Sequence, residues 1–158
     1  MSMNLSPDAV HARWQTWIRA FDDAVARDDW SGLGAFLTDD VVYRVNGSPF
    51  DCVLRGRDAV IAGFARSVRG FDHRCLARHW TPIGIRVYPA YLTCRIDSGY
   101  RIDPQTLLSF EATGHWGFRG ERIDLMADFY DAAQHDVQVA FGALAALGDH
   151  VDPRYHVE

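Results

Sequence analysis

The sequence predicts an α+β fold. N-terminal helices pack against a strongly curved, mostly antiparallel sheet, and the resulting cone encloses a pocket. Three observations carry this. Val10, Trp14, Trp17, Ile18, Phe21 and Val25 recur at three- and four-residue steps, the stripe of an amphipathic helix. Two later stretches, 108–118 and 123–130, alternate with a period of two, as half-buried strands do. Helical and extended patterns are largely segregated along the chain, which favours α+β over alternating α/β.

The 158 residues suit one domain, 1–158, with room for a sizeable core; 48% are apolar and 13% aromatic. A net charge of −5, with no basic patch interleaved with aromatics, argues against a nucleic-acid partner. All 16 basic residues are arginine. Lysine Schiff-base chemistry and a P-loop lysine are therefore excluded, and a G+C-rich bacterial source is implied. Cys52, Cys75 and Cys94 are odd in number and lack metal-type spacing, so they read as reduced cytoplasmic thiols. Residues Met1 to Pro7 carry no leader pattern, and no apolar run reaches membrane-spanning length.

Ser6 is the expected N-cap and Pro7 the first helical residue of a helix running to about residue 27, broken by Asp28-Asp29. A short second helix turns Trp30, Leu33, Phe36 and Leu37 inward. Thr38-Asp39-Asp40 is read as a turn into a strand over 41–45. Asn46-Gly47-Ser48-Pro49 is turn chemistry, opening a loop that lasts to Gly56. A third helix spans about 57–68 with Val60, Ile61 and Phe64 inward, and Gly70 ends it. Strands follow over 71–82 and 85–97, the latter broken near Pro89, with a turn at Asp103-Pro104. Next come the two alternating strands, joined at Gly120. A closing helix covers 135–147 with Val137, Phe141 and Leu144 on one stripe; the tail after Gly148 is polar.

Within 123–130, Asp128 shares a strand face with Met126 and Tyr130. Arg95 and Asp97 share a face of an earlier strand. If both faces meet in one cavity, they form a carboxylate–guanidinium–carboxylate group. The same spacing also suits a solvated face opposite Leu92, Cys94 and Ile96. His73, His79, His115 and His135 lack metal-ligand spacing. Trp14, Trp17, Phe21, Phe110 and Trp116 are core aromatics, some of which can line a cavity.

In order, Asp39-Asp40-Val41-Val42-Tyr43, Gly56-Arg57-Asp58-Ala59-Val60 and Asp128-Phe129-Tyr130-Asp131 resemble the nuclear-transport-factor-2-like (SnoaL-like) cone fold over about residues 8–133. In site residues the chain is most similar to limonene epoxide hydrolases. That family has an Arg-x-Asp on a middle strand and an Asp that opens an Asp-aromatic-aromatic-Asp ending; here these are Arg95, Asp97 and Asp128. Tyr43 matches the family's tyrosine. Its asparagine two residues on is replaced by Val45, with Asn46 one place later.

The resemblance implies that Asp128 is general base to a water, Asp97 the protonated acid, and Arg95 the bridge, with Tyr43 and Asn46 near the water. Met126, Tyr130, Phe110, Trp116 and His79 would meet the substrate. The implied protein is a homodimer that opens a small hydrophobic epoxide to a diol without metal or cofactor. Alternatives on this fold are a SnoaL-like cyclase, an isomerase, a dehydratase using a Tyr-His-Asp set that includes His79, or a non-catalytic binder. The isomerases place an Asp base just after the first strand, where this chain has Arg44-Val45-Asn46.

Overall fold

Ser6 and Pro7 start the first helix as expected: Ser6 Oγ accepts the Ala9 N–H at 3.3 Å, and α1 runs Pro7–Arg27. In this computed structural model the described residues are 5–47, 51–131 and 133–146, without the side chains of 141 and 144–146. The expected turn at Ser48-Pro49, the Phe141 and Leu144 side chains of the expected stripe, and the polar tail lie outside what is described.

Asp28 ends α1 in the left-handed region, at φ 54°, which Asp tolerates better than most residues. Its carboxylate accepts the Trp30 indole N–H and the Arg69 Nε–H, each at 2.8 Å. The second helix is one 3₁₀ turn, Leu33–Phe36, and the chain is already extended at Leu37. Strand β1 thus covers Leu37–Asn46 and takes in the expected turn at Thr38-Asp39-Asp40. A strand missing from the sequence reading, β2 (Cys52–Arg55), pairs antiparallel with β1. Helix α2 spans Arg57–Gly70. It lies so close to β2 that a Cβ on Gly63 would sit 2.2 Å from Leu54 Cδ1.

A 3₁₀ turn at Asp72–Arg74 leads into β3, Ala77–Tyr88. Pro82 does not end β3, because β3 is a sheet edge and a bulge next to Pro82 absorbs the missing donor. The break falls at Pro89-Ala90, a two-residue turn with Ala90 at φ 57°. Strands β4 (Tyr91–Arg101), β5 (Leu107–Arg119) and β6 (Arg122–Phe129) follow, then α3, His135–Ala146.

The sheet order is β2-β1-β6-β5-β4-β3. Every neighbouring pair is antiparallel except β1 with β6. Among the described residues, this six-stranded mixed sheet with three helices is the α+β architecture expected. Trp14, Trp17, Phe64 and Val60 of α1 and α2 pack with Val41, Leu92, Ile96 and Trp116 of one sheet face. Val137 and Ala140 of α3 pack with Leu108, Phe110 and Ala112 of the same face. The helices thus cover one side of the sheet. No described helix is long and apolar enough to cross a membrane.

Candidate active site

Between helices and sheet lies a cavity of about 130 Å³. Helix α1 contributes Trp14, Trp17 and Phe21; α2 contributes Phe64. The sheet supplies Tyr43, Trp80, Ile96, Tyr100, Trp116 and Met126. Trp116 reaches the cavity across Gly114, where any Cβ would lie 2.3 Å from its ring.

Asp128 is set into this wall. It sits beside Tyr43, whose hydroxyl donates to Asp128 Oδ2 at 2.6 Å. Register explains the meeting: β1 and β6 run parallel, with Val45 opposite Asp128 and Tyr43 opposite Met126. Tyr43 and Asp128 are therefore diagonal neighbours on the same face. Burial pushes the Asp128 carboxyl up to about 6, and the Tyr43 hydrogen bond pulls in the opposite direction.

A second polar group lines the same cavity. Arg78 faces Asp72 (Nε–Oδ1 3.4 Å) and Asp22 (Nη2–Oδ1 3.4 Å), and its guanidinium lies over the Trp80 ring at 5.8 Å. Burial raises the Asp72 carboxyl to about 6 against the pull of Arg78, and raises Asp22 as well. Burial also raises the Tyr100 phenol, so it stays a neutral hydroxyl.

Arg95 and Asp97 are not in the cavity. Asp128 pairs with Gly114 and Gly114 with Cys94, so the β4 residue in the row of Asp128 is Cys94. Arg95 and Asp97 have the opposite parity and project from the outer face. There Arg95 makes a two-point pair with Glu111 at 2.7 and 2.9 Å and is 60% exposed. Asp97 lies 3.4 Å from His79 Nε2 and is 47% exposed. The expected triad with Asp128 is therefore not assembled, and His79 belongs to the outer face. On that face Tyr91 and His115 are also hydrogen-bonded.

Of the other expected residues, Met126, Tyr130 and Trp116 line the cavity with Asp128 and Tyr43. Phe110 packs behind it, its ring 5.5 Å from that of Tyr130. Asn46 holds the strand end: its carbonyl accepts the Tyr130 N–H at 2.9 Å. Asp22, Asp72, Arg78, Trp80 and Tyr100 escaped the sequence reading. The usable signal was the alternation of Arg78, Trp80 and Pro82 on one face of β3. No group of three or more His, Cys, Asp or Glu placed to hold a metal occurs among the described residues.

A mixed sheet covered by helices, with carboxyls set into an aromatic cavity between them, defines a nuclear-transport-factor-2-like pocket protein. The SnoaL-like domain model matches residues 18–126, and the chain belongs to that family. An LEH-like epoxide hydrolase from M. tuberculosis is similar at 21% identity over 84% of this chain and 95% of that one, with a TM-score of 0.57. A candidate SnoaL-like polyketide cyclase from Jannaschia sp. CCS1 has 16% identity over 83% and 92%, with a TM-score of 0.63. A protein of ketosteroid isomerase-like fold from Catenulispora acidiphila, in complex with trimethylamine, has 20% identity over 80% and 92%, with a TM-score of 0.58. At these identities the likeness concerns the fold. No curated protein matches the sequence.

Proposed function

We propose that the chain is a proton-transfer enzyme acting on a small, largely apolar molecule, with Asp128 as general base. One observation carries this: a buried carboxyl, raised to about 6, accepts a hydrogen bond from Tyr43 inside an aromatic cavity. A base of that strength is ionised at neutral pH yet stronger than an ordinary carboxylate. Tyr43 fixes its orientation and limits how far burial lifts it.

Two reactions fit this base. Isomerisation or cyclisation starts when Asp128 takes a proton from an activated carbon, with a neutral cavity hydroxyl such as Tyr100 to receive the developing oxyanion. Epoxide opening needs a second, protonated carboxyl. Asp72 on the same cavity is the candidate in place of Asp97. Raised to about 6 like Asp128 and paired with Arg78, it would donate only from the fraction still protonated, so epoxide opening should fall as pH rises above 6.

Panels of small ketones in deuterium oxide and small epoxides in heavy-oxygen water separate the two. Isomerase chemistry gives deuterium exchange, lost in Asp128→Asn. Hydrolysis gives labelled diol, lost in both Asp128→Asn and Asp72→Asn. Undiminished turnover in Asp128→Asn rules out the base assigned here.

A homodimer is also proposed, through the outer sheet face where Val53 and Phe129 are 44% and 46% exposed. Sedimentation as a monomer at micromolar concentration would refute it.

A further inference from the structure

We infer that the molecule taken up by the cavity is a small organic cation, a tertiary or quaternary ammonium compound, seated between aromatic faces with Asp128 as its counter-ion. This deepens the reading of the same site and rests on Asp128 as its working carboxylate.

The wall is the first reason. Aliphatic side chains would bury an apolar ligand as well as rings do. Here the lining is dominated by Trp14, Trp17, Trp80, Trp116 and Tyr43. Ring faces carry negative potential and attract a cation as well as a hydrocarbon, most strongly where water is excluded. The protein's own cation already uses this wall, since Arg78 lies over Trp80.

Charge is the second reason. Asp22, Asp72 and Asp128 line the cavity against one guanidinium, Arg78, among the described residues. Arg78 faces Asp72 and Asp22. Asp128 is left with the neutral hydroxyl of Tyr43 as its hydrogen-bonding partner. An anionic ligand would meet this excess of carboxylate. A neutral one would leave the buried charge of Asp128 uncompensated. An ammonium group supplies the missing charge in a medium of low polarity, where the attraction is strong.

Choline and 3,3-dimethyl-1-butanol are the test pair, being alike in shape and different in charge. Their affinities are measured by calorimetry at pH 8 and pH 5 for the parent, Asp128→Asn and the outer-face control Arg95→Met. The other titratable or charged groups on the cavity are Tyr43 from β1, Asp22 from α1, Asp72 and Arg78 on and before β3, Tyr100 from β4, and Tyr130 after β6.

At pH 8 the parent and Arg95→Met should bind choline about tenfold or more tightly than the alcohol. That preference should shrink at pH 5, as the carboxyls protonate, and shrink at pH 8 in Asp128→Asn. Equal affinity at pH 8, tighter binding of the alcohol, a preference unchanged in Asp128→Asn, or no binding of either at millimolar concentration would each overturn the inference. None of these touches the proton-transfer reading, which is decided by isotope exchange and labelled diol. Selective choline binding without either reaction would refute the catalytic reading and leave this one standing.

Discussion

The Tyr43 hydroxyl donates to Asp128 Oδ2 across 2.6 Å and joins two residues 85 positions apart in the chain. The bond favours the ionised carboxylate, opposing the larger effect of burial. Tyr43→Phe should therefore move the Asp128 carboxyl above its present value of about 6. The rising limb of the pH–rate profile should shift to higher pH by a comparable interval. An unmoved limb would show that the bond does not govern the base.

Asp128 should also weaken the fold above pH 6. A buried carboxyl at about 6, against ~3.9 in the unfolded chain, binds more protons when folded between those values. Stability is thus highest below pH 4 with respect to this group and is lost as pH rises through 6. Asp128→Asn removes that loss. Urea melts should find it more stable than the parent at pH 8, by up to about 2–3 kcal/mol, and nearly equal at pH 4. A variant less stable at pH 8 than at pH 4, relative to the parent, contradicts this.

Arg95→Met should leave both turnover and urea melts unchanged. The side chain is solvent-facing and its partner Glu111 is also on the outer surface. Lost activity in this variant would return Arg95 to the site.

Gly114→Ala and Gly99→Ala should differ, although both glycines face a ring. At Gly114 the new methyl would meet the packed Trp116 indole at 2.3 Å, inside the cavity wall. At Gly99 it would meet the His79 ring at 2.0 Å, but that side chain is 40% exposed and can swing away. Gly114→Ala should cost about 1–3 kcal/mol and alter tryptophan fluorescence. Gly99→Ala should do neither. Equal melts for the two would show that Trp116 repacks freely.

The helices, β5 and β6 were legible because their apolar positions keep one period over many residues. Strand β2 was not, since Cys52-Val53-Leu54-Arg55 is too short to separate from a loop and owes its form to pairing with β1. Asp128 was singled out by its place on β6, beside Met126 and Tyr130. Arg95 and Asp97 were drawn to it because spacing shows which residues share a face but not which face turns inward. The apolar set Leu92, Cys94 and Ile96 already marked the inward side of β4. Arg78 and Asp72 were hidden for a different reason. Their partner Asp22 lies on α1, and only the packing of helix on sheet brings the three together.

Strand β6 sits between β1 and β5, and its union with β1 is the sheet's parallel seam. Without β6 the sheet would be two pieces that share no backbone ladder, the β1–β2 pair and the β3–β5 meander. Each piece ends in an open edge that invites pairing with another chain. Closing the seam means closing a loop of some eighty residues, a slow, entropy-limited event. Asp128 rides on this strand, so its carboxyl reaches the cavity only when the sheet is sealed. A chain ending before residue 122 lacks both the strand that joins the two pieces and the Asp128 carboxyl.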